Sequence, residues 1–312
     1  MEIGTNSLGE IAELSHIVRP HHVIITDVSI GHIEGLKSLD NIVEEKASIC
    51  SGQTQKGLAI IPSGIEKFSQ LKAKVRNFGP NVISFGDDES SDVRISTIEV
   101  SGNAITSTIV DQKQKSWNVN LKTAGKHYMK NAAGLLALVS SLNLDLSKAI
   151  LSLQSWSPLA GRGQVLEVKL KASNFNEAIH LIDESYNANP SSVKSSLETL
   201  ACIFTNKKGK GEYYRRIAVL GDMLELGFSE IQEHVNISKF ARLDKIDKIY
   251  CVGSRMKKLF DVLPSSKRGY WTETAEEMQN VLVNKLENGD IIMIKGSFSM
   301  GMKTIVNKLK NI

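Results

Sequence analysis

The stretch His180-Leu181-Ile182-Asp183-Glu184-Ser185-Tyr186-Asn187-Ala188-Asn189-Pro190-Ser191-Ser192 reads as the end of a buried strand, a polar loop and the start of a helix. Two carboxylates stand where the apolar run stops, and the loop then feeds Val193, Leu197, Leu200, Ala201 and Phe204, which share one helical face. Ser191 or Ser192 is placed to cap that helix, because a hydroxyl accepts from the orphan N–H groups of a first turn. In open α/β sheets the loops at the carboxyl ends of strands line the ligand crevice, so the acids, the Tyr186 phenol and the carboxamides of Asn187 and Asn189 are expected to face a substrate. The same composition also reads as a plain Asn-Pro turn.

The strand-loop-helix unit recurs downstream. Ile217-Ala218-Val219-Leu220 leads into Gly221-Asp222-Met223-Leu224-Glu225, Ile249-Tyr250-Cys251-Val252 into Gly253-Ser254, and Ile291-Ile292-Met293-Ile294 into Lys295-Gly296-Ser297. Ser229 with Gln232 reads as a capping box, and Met302, Ile305, Val306 and Leu309 as the stripe of a final helix. Nearly uniform apolar strands alternating with helices predict a mostly parallel sheet covered on both faces, a Rossmann-like domain without the G-x-G-x-x-G fingerprint. The turn formers of Trp156 to Gly163 put a boundary between residues 1–160 and 161–312.

Upstream, Met1 to Asn6 reads as the tail of a strand and a turn, so the chain is expected to begin partway through a domain. Glu10 to Val18 reads as a helix ended by Arg19-Pro20, His22 to Thr26 as a buried strand, and Leu39 to Ile49 as a helix carrying Lys46. Gly57 to Pro62 and Asn81 to Gly86 are further apolar runs. Period-two alternation from Val93 to Val119 around Gly102-Asn103 predicts a hairpin. Asn131 to Leu142 reads as a helix in which Ala132, Ala133 and Gly134 permit close packing, with His127 and Asn131 on one face.

With 312 residues, 41% of them hydrophobic, the chain holds enough apolar side chain for two domains. A formal net charge of +4 suits an anionic substrate and does not call for nucleic acid. The run Lys207-Lys208-Gly209-Lys210 with Arg215-Arg216 reads as a solvated loop. Three scattered cysteines, Cys50, Cys202 and Cys251, indicate neither a disulfide framework nor a zinc site. No apolar run is long enough to span a bilayer and the first residues are not an export signal, so a cytoplasmic location is expected.

Glu2, His32, Glu34 and Lys46 are the candidate polar constellation of the first domain. Carboxylate with imidazole suits a divalent ion, Mg²⁺ if most ligands are oxygen, although each residue taken singly also reads as an ordinary surface or loop side chain. The phosphate cradle G-x-x-x-x-G-K-[ST] is not present in the chain: at Gly125-Lys126-His127, residue 120 is Asn and residue 127 is neither Ser nor Thr.

Taken together and in order, these motifs resemble the Mur ligases of peptidoglycan synthesis. The resemblance is carried by Met1 to Asn6, Thr26 to Glu34, Glu45-Lys46-Ala47, Gly125-Lys126-His127 with Asn131-Ala132-Ala133, Gly161-Arg162, Asp183 to Pro190, Leu220 to Gly227, and Lys295-Gly296-Ser297 with Ser299 to Met302. The Tyr-Asn-Ala-Asn-Pro and Gly-Asp-Met-Leu-Glu-Leu-Gly loops are similar to those of the members that add D-alanyl-D-alanine. The resemblance implies an ATP-dependent amide ligase of cell-wall biogenesis. In it, the carboxylate of a UDP-N-acetylmuramoyl-tripeptide becomes an acyl phosphate, and the amine of D-alanyl-D-alanine attacks it, with Mg²⁺ offsetting phosphoryl charge.

By position, the resemblance makes Glu2, His32 and Lys46 the metal set, with Lys46 carbamylated and His32 and Lys46 also catalytic. It assigns Asn131 to adenine, Arg162, Asp183 and Glu184 to the phosphate and ribose side, and Tyr186, Asn187 and Asn189 to the substrate loop. The family also has an N-terminal UDP-sugar domain and a phosphate loop, and the 312 residues contain neither. Asp27, Ser29, Tyr128 and Phe298 stand where the family usually has Asn, Gly, Asn and Arg. The expectation is a truncated central ATPase-type domain with a mixed sheet, followed by a Rossmann-like domain, impaired or inactive alone. The alternative is a non-catalytic remnant, or half of a split ligase served by a separate chain that carries the missing parts.

Overall fold

The computed structural model describes residues 1–29, 33–54, 57–170, 177–204 and 214–311, with Ile33 described in its backbone only. The contacts divide the chain into two compact units. One comprises Met1–Glu99, Ile105–Lys122 and Lys126–Trp156, the other Val100–Ala104, Thr123–Gly125 and Ser157–Ile312.

The first unit runs α1 (Glu10–Val18), β1 (His22–Ile24), α2 (Ile33–Leu36), α3 (Leu39–Ala47), β2 (Leu58–Pro62), α4 (Phe68–Asn77), β3 (Asn81–Gly86), β4 (Val93–Ser101), β5 (Ala104–Asp111), β6 (Ser116–Leu121), α5 (Lys126–Ser141) and α6 (Leu146–Ser155). Its sheet has the order β1-β2-β3-β4-β5-β6, parallel from β1 to β4 and antiparallel between β5 and β6. On one face Val23, Ala59 and Ile61 pack with Ile42, Val43 and Ala47 of α3 and Leu71 and Val75 of α4. On α5, Gly134 faces the Phe85 ring, and a Cβ there would lie 3.0 Å from the ring edge. The small-residue helix therefore lets a buried aromatic come close to its backbone, as its composition predicts.

The second unit runs β7 (Gln164–Lys169), β8 (Ala178–Glu184), α7 (Pro190–Cys202), β9 (Arg216–Gly221), α8 (Glu230–Asn236), β10 (Lys248–Val252), α9 (Met256–Val262), β11 (Arg268–Thr272), α10 (Ala275–Val283), β12 (Ile291–Lys295) and α11 (Lys303–Leu309). The strand order is β11-β10-β9-β12-β8-β7, parallel except for β7. Because side chains alternate across a sheet, each strand feeds two cores. Ile182, Ala218, Leu220, Ile249, Cys251, Ile291 and Met293 pack with α7 and α9, whereas Leu181, Ile217, Val219, Val252, Ile292 and Ile294 pack with α10 and α11. The expected two-sided parallel sheet is present, with an antiparallel edge.

Several local expectations are corrected. Met1 to Thr5 form no strand, since a strand exists only by ladder pairing and none is recorded there. The helix expected from Asn131 begins at Lys126; α6, whose Leu146, Ala149, Ile150 and Leu153 have helical spacing, is not among the elements expected from the sequence, and neither are β7 and β11. The cap of α7 is Asn189, whose side chain accepts from the Ser192 N–H (2.8 Å) while the Ser192 hydroxyl accepts from the Asn189 N–H (2.9 Å). Ser229 makes no cap; its hydroxyl donates back to the Leu226 carbonyl, and a short 3₁₀ turn precedes α8. Arg216 is not solvated: it is buried in β9 and donates to the carbonyls of Leu200 and Ile203 at the end of α7. Arg215 forms a two-pronged pair with buried Asp290. Residues 207–210 lie outside the described residues.

Gly134→Val should cost about 1–3 kcal/mol in urea unfolding, because branched carbons would press on a ring that has no room to retreat. Shrinking the ring with Phe85→Leu in the same chain should recover part of that loss.

Candidate functional site

The carboxyl ends of β8, β12 and β9 lie side by side, and the loops that leave them are tied to one another. Lys295 and Glu184 are register partners on β12 and β8. Lys295 is 3% exposed; its ammonium lies 3.4 Å from the Glu184 carboxylate and donates to the Asn187 carbonyl at 2.9 Å. Asp183 is turned into its own loop, accepting from the hydroxyl (2.6 Å) and the N–H (3.2 Å) of Ser185. Ser297 accepts from the Leu224 N–H at 2.8 Å and donates to the Ala188 carbonyl at 3.4 Å, so one hydroxyl touches the loops of β9 and β8.

The Tyr186 turn rests on this platform. The Tyr186 N–H donates to the Gly161 carbonyl (3.0 Å), the Gly163 N–H donates to the Asp183 carbonyl (2.7 Å), and both glycines hold positive φ, at 80° and 95°. Arg162, between them, places its guanidinium 4.2 Å from the centre of the Tyr186 ring, and the Phe298 and Tyr186 rings meet in a T-shaped arrangement with centroids 6.0 Å apart. Asn187 is exposed, with its side-chain oxygen accepting from the Ala188 N–H. The structure thus brings Arg162, Asp183, Glu184, Tyr186, Asn187 and Asn189 to one end of one sheet, although Asp183 and Asn189 hold the turn with their side chains.

The loop after β9 is held from below. Asp222, 2% exposed, accepts from the N–H groups of Met256 (2.7 Å) and Arg255 (3.2 Å), and a Cβ on Gly253 would collide with its carboxylate. His234 is fully buried. Its Nε2 accepts from the Met223 N–H at 2.9 Å and its Nδ1 lies 2.6 Å from the Glu230 carbonyl, a pairing that puts the ring proton on Nδ1. Burial lowers its pKa, opposed by the Glu230 carbonyl contact.

In the first unit, Lys46 is half-buried on α3, and burial lowers its pKa while the nearby Asp27 charge partly opposes the shift. A buried amine pushed toward neutrality has the chemistry required for addition to CO₂. Glu45, 3% exposed, accepts from the N–H groups of Gly9 (2.7 Å) and Ile11 (2.8 Å) and from the Thr5 hydroxyl (3.2 Å). It therefore anchors the start of α1 and the segment that begins with Glu2. Glu2, Glu34 and Asn131 are exposed, and His32 lies outside the described residues. Among the described residues no three His, Cys, Asp or Glu side chains converge as a metal set.

Lys295, Ser297, Asp222 and His234 carry the geometry without having been given roles by the sequence. Lys295 and Ser297 were legible as strand-end residues beside Glu184. Lone His234 had no signal beyond its place, four residues after Glu230, in the helix that follows the Gly-Asp-Met-Leu-Glu loop.

A mixed sheet in one unit, and in the other a two-sided, mostly parallel sheet with this loop set at its strand ends, define an α/β scaffold. Residues 1–139 match the Mur ligase middle domain, and residues 168–298 match the glutamate ligase domain of the Mur ligases. The chain belongs to the Mur ligase family. Among its relatives, the UDP-N-acetylmuramoyl-tripeptide–D-alanyl-D-alanine ligase of Rickettsia prowazekii is 25% identical over 307 residues, covering 98% of this chain and 65% of the relative. MurF from Acinetobacter baumannii superposes with a TM-score of 0.84 at 24% identity, over 100% of this chain and 64% of that one. MurF from Thermotoga maritima, solved in complex with ADP, gives 0.80 at 20% identity, over 98% and 65%. The chain thus spans just under two thirds of the length of these proteins. No described helix is long and apolar enough to cross a membrane.

The unfolded chain holds the Lys46 proton more tightly than the folded one. The penalty for folding with that charge is full below the folded pKa and is released as pH rises toward the ordinary lysine value of about 10.4. In bicarbonate-free buffer Lys46→Met should therefore be more stable than the parent at pH 7, by an excess that shrinks as pH is raised; an excess that grows would contradict this account. Lys295→Met should cost about 3–5 kcal/mol in urea unfolding by leaving Glu184 buried without its counter-charge, and adding Glu184→Gln should return part of it.

Proposed function

We propose that the chain supplies the central and C-terminal portions, meeting near residue 160, of an ATP-dependent ligase that adds D-alanyl-D-alanine to a UDP-N-acetylmuramoyl-tripeptide. The observation that carries this reading is the Tyr186 to Asn189 turn, locked beside the Gly221 to Glu225 loop by Lys295 and Ser297, in a chain matched along 98% of its length by a relative named for that reaction. In the reaction a tripeptide carboxylate oxygen bonds to the γ-phosphorus of ATP and ADP leaves. The dipeptide amine then attacks the acyl carbon, loses a proton and expels phosphate, leaving an amide.

Each side chain has a task in that scheme. Lys46, half-buried with a depressed pKa, adds CO₂ to become an oxygen donor, and with Glu2 and His32 it would hold Mg²⁺, which supplies charge neutralisation at the transferring phosphoryl group. Asn131 contacts adenine, and Arg162, Asp183 and Glu184 serve the phosphate and ribose side. Tyr186 and Asn187, exposed at the strand ends, contact the substrate, and Asn189 keeps that turn in place through its cap. The setting is cytoplasmic peptidoglycan precursor synthesis, with its consequences for cell shape and division.

Phe298 at a position where the family usually has arginine favours one competing reading, a non-catalytic remnant. One assay separates the readings. Incubated with ATP, Mg²⁺, UDP-sugar tripeptide and D-alanyl-D-alanine, the chain alone should give little product, and a separate chain carrying the N-terminal domain and phosphate loop should restore it. Lys46→Arg in the restored mixture should lower the rate by at least about 100-fold, roughly 2.7 kcal/mol. Failure of restoration, with no calorimetric heat from nucleotide or dipeptide, would favour the remnant.

A further inference from the structure

His234 lies outside the residues to which the proposed reaction gives a task, yet its ring holds the loop that leaves β9. It is fully buried on α8, and its Nε2 takes the N–H of Met223, one residue past buried Asp222. The next N–H along, that of Leu224, goes to Ser297, whose hydroxyl also reaches the Ala188 carbonyl, and the Ser297 N–H returns to the Asp222 carbonyl at 3.0 Å. A continuous path of hydrogen bonds therefore runs from the imidazole through the β9 loop and the β12 loop to the turn that holds Tyr186.

We infer that His234 is the positioning residue of this loop set, and that proton uptake at its Nε2 unlatches the Met223 and Ser297 contacts and frees the Tyr186 turn. The step balances simply. Neutral His234 donates from Nδ1 to the Glu230 carbonyl and accepts at Nε2. The imidazolium is a donor at both nitrogens, so a proton from solvent turns the Met223 contact into two opposed N–H groups, and one must move away. The charged groups that face the ring are Glu230 on its own helix, Asp222 on the β9 loop and Arg255 ahead of α9. Arg255 is paired with Glu230 at 2.6 Å and lies 3.7 Å from Asp222. Burial is the largest influence on the ring and, with Arg255 acting in the same direction and Asp222 and Glu230 opposing, holds its titration below the ordinary histidine range. The latch is thus closed at neutral pH and opens on the acid side. Its functional meaning, access to the dipeptide subsite, rests on the ligase reading; the latch itself does not.

The test is an amide-resolved NMR titration of the ¹⁵N-labelled full chain from pH 7.5 downward, so it does not depend on ligase turnover. His234 should be the Nδ1–H tautomer at pH 7.5. The amides of Met223, Leu224 and Ala188 should shift together with one inflection, below about 6.5, that coincides with the His234 ring signals. His234→Gln, which offers a pH-independent acceptor, should keep the neutral-pH shifts of these amides and abolish the inflection. Ser297→Ala should leave the Met223 inflection in place and remove it from Ala188. The inference is overturned if the three amides ignore the His234 titration, if the inflection survives in His234→Gln, or if Ala188 still follows His234 in Ser297→Ala. Should His234→Gln fail to fold, the parent and Ser297→Ala titrations decide the matter by themselves.

Discussion

A single buried ammonium sets the working end of the second unit. Lys295 emerges where β12 stops, and its charge has to be satisfied inside the protein because only 3% of the residue reaches solvent. Glu184, its register partner on β8, supplies the counter-charge, and the Asn187 carbonyl beyond it supplies a strong acceptor. A charge buried this way is costly unless every partner is in place, so the ion fixes where the β8 strand must end and where the next turn must begin. Two glycines let the neighbouring loop come equally close. A Cβ on Gly296 would lie 2.6 Å from Met302 and 3.0 Å from the Gly221 backbone, so the ends of β12 and β9 meet under one methionine.

The first unit uses the same logic with the opposite sign. Glu45 is an acid on the buried side of α3, three residues after Ile42, and its carboxylate satisfies N–H groups at the start of α1 that the helix itself cannot. Next to it in sequence, Lys46 has a charge that burial opposes. One position is thus an acid whose environment is made of donors, and its neighbour is an amine whose environment favours the neutral form. Helical geometry turns adjacent residues about 100° apart, which is how two such different environments occupy consecutive positions.

Most of the architecture was readable because parallel strands buried on both faces leave continuous apolar runs, and each such run from Ile179 to Ile294 became a strand of the second sheet. The strands that escaped notice, β7 and β11, are the two edges of that sheet, where one flank faces no neighbour and the apolar requirement relaxes. The site divides in the same way. Tyr186, Asn187 and Glu184 were legible because they sit in an unusual polar loop at a strand end. His234 was not, since its importance lies in a backbone N–H it accepts across eleven residues, a contact that no spacing rule encodes. Ser229 was misread for a related reason: its spacing to Gln232 suits a capping box, but a 3₁₀ turn leads into α8 and its hydroxyl bonds backward instead.

The aromatic pair at the strand ends shows how one substitution changes the electrostatics of a loop set without disturbing its frame. Phe298 is 73% exposed and follows directly after Ser297, whose backbone and hydroxyl are both committed to the latch, so residue 298 can vary while the frame stays fixed. An arginine there would bring a second guanidinium to a phenol ring that Arg162 already covers at 4.2 Å. Phenylalanine instead makes an edge-to-face contact with the Tyr186 ring at 6.0 Å between centroids, and it does so without adding a net charge. Lys295 is held by Glu184, and Arg255 by Glu230 and Asp222. Phenylalanine in place of an arginine at residue 298 therefore leaves this end of the sheet less cationic and more apolar, while the strands beneath it are unchanged.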